Sequence, residues 1–214
     1  MQKQVKGFTL IELLIVIGII AILATVVILT LNPAELLRQS RDSTRFSDLS
    51  TVNSAIALYL SDVAAASIGT STAGTAAVGD GWCYTSLPVG ATPTPATNCG
   101  GRFPGAGSDT VAGTINATTS RLINGTGWMP IDFTDISTGS PLPNLPVDPV
   151  SPNSDGADDA SVIDDFYYAY GVGGNNTYEI NTRIESQKFA SSSENDGGNI
   201  STLYEVGTNP GLAL

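Results

Sequence analysis

The chain begins with a change of character. Residues 1–7, MQKQVKG, are short, polar and basic, whereas Phe8 to Leu31 carry no charge except Glu12. A segment apolar on all sides predicts a helix over 8–31, about 36 Å long and so able to cross a hydrocarbon core of about 30 Å. Asn32-Pro33 follows. A proline removes a backbone donor and bends or opens a helix at that point. The pattern then narrows. Leu49, Val52, Ile56, Tyr59 and Val63 recur at spacings of three and four, one apolar stripe on an otherwise polar helix. Arg38/Asp42 and Asp42/Arg45 stand at i,i+4 and i,i+3, which predicts pairing on the exposed side. Together these readings predict one long helix from 8 to about 62, with 8–31 apolar all round and 32–63 amphipathic.

Residues 64–127 are rich in Gly, Thr, Ser, Ala and Pro. They read as a connecting region with little regular structure. The stretch 128–214 reads as a sheet-bearing head. Asp165 to Val172 places Phe166, Tyr168, Tyr170 and Val172 on one face of a strand. Gly173-Gly174-Asn175-Asn176 is a turn signal. Tyr178, Ile180 and Ile184 then alternate with Glu179, Asn181 and Arg183, and Leu203–Val206 supplies a third strand. Five of the seven tyrosines fall between 167 and 204; their rings are expected to cover the amphipathic helix with hydroxyls in water. The predicted class is α+β, a long N-terminal helix packed on a small C-terminal antiparallel sheet.

Composition narrows the chemistry. Nine Lys+Arg against twenty Asp+Glu give a net charge of −11, which argues against electrostatic binding to nucleic acid. The chain has no histidine, so His-based acid–base chemistry and Ser/His/Asp or Cys/His nucleophilic sites are excluded. No catalytic constellation remains, and the reading is not an enzyme. Cys83 and Cys99 are the only cysteines. With a membrane-crossing segment upstream, the rest of the chain is expected outside the cytoplasm, where the two persist as a disulfide; the alternative is two unpaired thiols. Lys3 and Lys6 before the apolar run favour a cytoplasmic N-terminus, although Arg38, Arg41 and Arg45 on the far side outnumber them.

Read whole, the opening resembles the type III signal sequence of type IV prepilins. A basic leader ends in Gly7, Phe8 follows, Glu12 comes four residues later, and the apolar helix continues as GFTLIELLIVIGIIAIL. The resemblance implies that a prepilin peptidase cuts between Gly7 and Phe8 on the cytoplasmic side and methylates the new Phe8 amine. It implies a single-pass precursor in the cytoplasmic membrane, then a helical homopolymer with these helices at its core. An inner-membrane assembly platform and its cytoplasmic ATPase would be the partners. The product would be an extracellular filament or a periplasmic pseudopilus. Glu12 then acquires a role. In a dry helix bundle a lone amine and a lone carboxylate are each costly, and pairing Phe8 with Glu12 between neighbours offsets both and fixes the stagger. The alternatives are that Glu12 snorkels to the interface, or that its own Phe8 amine, one turn away, neutralises it.

Leu145-Pro146-Val147-Asp148-Pro149 and the tyrosine-rich strand look like those of major pseudopilins of type II secretion. Those proteins hold calcium in a C-terminal loop, which points to Asp155, Asp158 and Asp159 as calcium ligands, with Asn195–Asn199 as a second candidate. Neither matches EF-hand spacing, and each also reads as a solvated acidic loop. Three functional readings follow: a surface pilin, a pseudopilin of a secretion or DNA-uptake machine, and a minor tip adhesin using 64–127.

Overall fold

The computed structural model describes residues 7–69, 82–86, 99, 102–103, 121–150, 166–173 and 176–212. The two halves of the expected long helix are separate elements, α1 (Leu10–Leu31) and α2 (Pro33–Asp62). Asn32 between them takes the left-handed conformation, with φ 41° and ψ 71°. Pro33 occupies the first turn of α2, where the missing N–H leaves no helical hydrogen bond unmade. The interruption thus lies where Asn32-Pro33 placed it. None of Leu10–Ile28 is buried.

On α2, Leu49, Val52, Ile56 and Tyr59 are buried, Ala55 joins them, and Val63 packs at the margin. The apolar stripe is therefore the core face. Opposite it lies a four-stranded antiparallel sheet in the order β1-β2-β3-β4. The strands are β1 (Trp82–Thr85), β2 (Ala169–Val172), β3 (Tyr178–Arg183) and β4 (Leu203–Gly207). A short helix, α3 (Ala190–Glu194), precedes β4. Tyr168, Tyr170, Val172, Tyr178 and Ile180 face α2 as expected. Phe166 does not join that apolar group; its ring lies 4.8 Å from the Arg45 guanidinium carbon.

Three features differ from the sequence reading. First, β1 arises within 64–127, the region read as lacking regular structure. A four-residue strand is too short for periodicity to announce it. Second, the core is completed by an irregular segment, 121–150. Trp128, Met129, Ile131, Phe133 and Leu145 of this segment have no exposed surface. Its backbone is pinned by Leu145 N to Arg121 O at 2.9 Å and Phe133 N to Ile123 O at 2.8 Å. The Trp128 indole donates to Pro146 O at 2.9 Å. Gly127 permits the tight crossing, since a Cβ there would lie 1.9 Å from Leu122 O.

Third, both faces of the sheet are covered, where the tyrosine hydroxyls were expected to meet water. Cys83, Cys99, Phe103, Tyr167, Ala169 and Leu212 form a second buried apolar cluster on the outer face. Small residues make it fit: a Cβ on Gly171 would come within 2.5 Å of Phe103. Cys83 and Cys99 are joined in a disulfide with their Cα atoms 6.0 Å apart. Closing a loop of this length contributes about 3 kcal/mol in the chain-entropy picture. The tyrosine hydroxyls accordingly turn inward. Tyr167 donates to Cys99 O at 2.7 Å, Tyr168 to Asp48 Oδ2 at 2.7 Å, Tyr170 to Ile68 O at 2.6 Å and Tyr178 to Asn53 Oδ1 at 2.8 Å. A buried phenol needs an acceptor, and the covering segments supply it in place of water.

Candidate processing and assembly site

The three residues singled out at the N-terminus stand together at the free end of α1. Gly7, Phe8 and Thr9 precede the helix, which begins at Leu10. Thr9 is extended, with φ −80° and ψ 152°. The Phe8 side chain is 89% exposed, and nothing lies within 4 Å of where a Cβ on Gly7 would sit. The Gly7–Phe8 bond therefore lies outside the helical hydrogen-bond ladder, with Phe8 exposed among the described residues.

Glu12 has a partner within its own chain. Its Oε2 accepts from Thr9 N and from the Thr9 hydroxyl, each at 2.8 Å, while Thr9 Oγ1 accepts from Glu12 N at 3.3 Å. This reciprocal arrangement is a capping box, which satisfies amides that the first helical turn leaves unpaired. It also places a carboxylate at the positive end of the helix dipole. The sequence reading missed it, although Thr9-x-x-Glu12 before an apolar run is its signature. Further along, the Thr25 hydroxyl donates to Ala21 O at 2.9 Å, so a polar side chain in the apolar span is satisfied by its own helix.

A second polar cluster joins α2 to the head. Asp42 and Arg45, expected to pair on the exposed side, are fully buried, and this overturns that expectation. Arg45 meets Asp148 as a fork, Nε to Oδ2 at 2.7 Å and Nη2 to Oδ1 at 2.8 Å. Its Nη1 reaches Asp42 Oδ1 at 2.8 Å and Glu185 Oε1 at 2.6 Å. Asp42 in turn accepts the Glu185 and Ser186 amides at 3.0 and 2.8 Å. Arg41 closes the group with Nε to Glu185 Oε1 at 2.9 Å. Burial opposes the charge on Arg45, but the Asp148 and Glu185 contacts prevail and hold its guanidinium more firmly protonated than usual. Burial likewise pushes the Glu185 carboxyl up, and the hydrogen bonds from Arg41 and Arg45 override it and hold the group below its ordinary range. Arg38 pairs with Glu35, at 3.8 Å, rather than with Asp42. Nothing in the local spacing tells an exposed Asp42/Arg45 pair from a buried one; the partners lie more than a hundred residues away.

Asp155, Asp158 and Asp159, the residues proposed for calcium, lie outside the described residues. In the second candidate, Asp196 accepts from Gly198 N at 2.8 Å and from Glu205 N at 2.7 Å, so both its oxygens serve the backbone. Among the described residues, no group of three or more His, Cys, Asp or Glu is placed to hold a metal ion.

One family model, the prokaryotic N-terminal methylation motif, matches residues 2–28. No curated protein and no solved structure matches the chain. The matched span holds the Gly7–Phe8 bond, the capped Glu12 and most of the bare apolar helix, and an antiparallel sheet packs on the helix that follows. The chain thus carries the signal of type IV pilins and pseudopilins, on an α+β body consistent with the pilin fold.

Proposed function

We propose that this protein is a structural subunit of a type IV pilus-like filament. The observation that carries this reading is the methylation motif leading into a helix with none of Leu10–Ile28 buried. Such a surface is stable only in lipid or against other apolar helices. The precursor sits in the cytoplasmic membrane with Lys3 and Lys6 on the cytoplasmic side. A prepilin peptidase cuts after Gly7 and methylates the Phe8 amine. The platform and its ATPase then move the subunit from lipid into a bundle of α1 helices. Glu12 has a satisfied resting state on Thr9 in the free protomer. On assembly it turns to the Phe8 amine of a neighbour and sets the axial register.

Mass spectrometry of sheared surface material tests this reading. The expected result is an abundant protein beginning at a methylated Phe8. A native protein that retains Met1 and never polymerises would reduce the chain to a membrane tether. Glu12→Ala should leave cleavage intact and abolish or mis-register filaments; normal filaments from this variant would remove the register role.

A second reading, a pseudopilin, draws on the structural part played by Leu145–Pro149. Leu145 fills the core, Pro146 O holds Trp128, and Asp148 grips Arg45. The same stretch that resembles major pseudopilins is thus built into the head's attachment to α2. Near-absence from the surface fraction, with processing intact, would favour this reading over the surface pilin.

A further inference from the structure

β3 and β4 run side by side with Glu179 opposite Gly207 and Asn181 opposite Glu205. The side chains of Glu179, Asn181 and Glu205 lie on the outer face, and none is more than 1% exposed. Glu179 Oε2 accepts from Gly211 N at 2.9 Å and Leu212 N at 2.7 Å, and Oε1 from Asn181 Nδ2 at 2.8 Å. Glu205 Oε2 accepts from Ile200 N at 3.0 Å, while Glu205 Oε1, buried, has no hydrogen-bond donor among the described residues. With Glu179 opposite Gly207 and Glu205 opposite Asn181, the two buried carboxyl groups are diagonal neighbours on one face of adjacent strands, close enough for each charge to act on the other. Two ionised carboxylates are acceptors only. Such a pair is repulsive until one of them carries a hydrogen.

The charges around the pair are mixed. Asp196, on the loop before β4, adds a further negative charge beside Glu205. The segment 208–212 contains no ionisable side chain. Arg102 approaches from the other side, with Nη1 3.4 Å from Asn181 Oδ1, and its carbonyl accepts from Asn181 Nδ2 at 3.3 Å. Arg183 lies one alternate position beyond Asn181 on β3. The pocket wall is tight, because a Cβ on Gly198 would lie 1.8 Å from Glu205 Oε2.

We propose that Glu179 and Glu205 share one proton, and that this acid pair is a latch holding the C-terminal strap, Asn209–Leu212, and the 195–200 loop against the sheet. The strap has few other ties. Asn209 N donates to Tyr178 O at 3.2 Å, Asn199 Nδ2 donates to Gly211 O at 2.8 Å, and Leu212 seats in the outer apolar cluster beside the disulfide. Removing the proton places two negative charges side by side next to Asp196, and the strap is the element that can lift to admit water. Burial, then the charge of Glu205, pushes the Glu179 carboxyl up to about 8, and burial raises Glu205 as well. Folding therefore takes up a proton between the ordinary carboxylate range and about 8. The latch is closed below that window and opens as pH rises through it.

The test uses the full chain in detergent micelles. Amide exchange at Gly211 and Leu212, corrected for intrinsic rates and referenced to amides of the α2 core, is followed from pH about 5 to about 9. Protection at these two amides should fall with rising pH, by up to about tenfold per unit, while α2 stays unchanged. The isosteric Glu179→Gln/Glu205→Gln pair should flatten this dependence. A wild-type slope in the double variant would overturn the latch. A measurement on the unaltered protein guards against a variant that fails to fold. The 13C spectrum of the Glu carboxyl groups at pH about 6 should show a protonated resonance, and full ionisation there would overturn the proposal. Recovery of strap protection at high pH by millimolar calcium would assign the pair to a cation and overturn the shared proton.

Discussion

Two buried clusters of carboxylates sit on opposite sides of the sheet and resolve the same problem in opposite ways. At the α2–head junction, Asp42, Asp148 and Glu185 surround the Arg45 guanidinium, and Arg41 adds a second positive charge. Glu185 is held below the usual carboxylate range. On the outer face, Glu179 and Glu205 neighbour each other beside Asp196, and both are pushed up. The residue type is the same, and Asp42 and Asp148 are as buried as Glu179 and Glu205. What differs is whether a cation or a proton completes the cluster, and this is set by the segments that fold over each side. A buried acid is therefore not one kind of object: its charge state reports its neighbours.

The comparison also predicts opposite pH limbs. A carboxyl held low contributes stability above its unfolded value, and that contribution is lost as pH falls through the folded value. A carboxyl held high does the reverse, and its contribution is lost as pH rises toward about 8. Stability should therefore be greatest on the acid side of neutrality and decline in both directions.

The largest effect should come from taking the cation out of the first cluster. Arg45→Met keeps much of the volume but leaves Asp42 and Asp148 buried without a counter-charge. Breaking a buried pair in this way costs about 3–5 kcal/mol, read as a fall in the denaturant midpoint. Adding Asp148→Asn should recover part of the loss, and an unchanged midpoint in Arg45→Met would erase the contrast between the clusters. A smaller effect is expected from Glu185→Gln. It should weaken the acid limb of the pH–stability profile and leave the alkaline limb as it was; an altered alkaline limb would show that the two clusters are coupled. The smallest concerns an exposed version of the same chemistry. Asp62 accepts from Ser137 N at 2.6 Å and from its hydroxyl at 2.8 Å, and the backbone hydrogen bond holds its carboxyl low. Asp62→Ala should fray the last turn of α2, seen as faster exchange there, without a measurable shift of the midpoint. A shift comparable to that of Arg45→Met would contradict burial as the deciding factor.

Legibility in the sequence followed the range of the interactions. The apolar span, its interruption at Asn32-Pro33, the Leu49–Tyr59 stripe, the β2–β3 hairpin and β4 are each written in one contiguous pattern. The capping box is equally local, written as Thr9-x-x-Glu12 before an apolar run. The Arg45 cluster was misread, since i,i+3 spacing is the same for a solvated pair and a buried one. The alternation of Glu179 and Asn181 with Tyr178 and Ile180 marks two faces without saying what covers the second. Ala169 and Gly171, small where a solvent-facing strand usually carries larger polar side chains, were the available hint that something packs there.

By itself the sequence determined the N-terminal methylation motif, the apolar helix, its interruption at Asn32-Pro33 and the apolar face of α2. These depend on periodicity and short spacing, which a linear pattern encodes completely. Only the tertiary structure decided which polar groups lost their water. Desolvation depends on segments distant along the chain, 121–150 in the helix–sheet core and Cys99, Arg102 and Phe103 with 208–212 on the outer face, and no local pattern records where those segments come to rest.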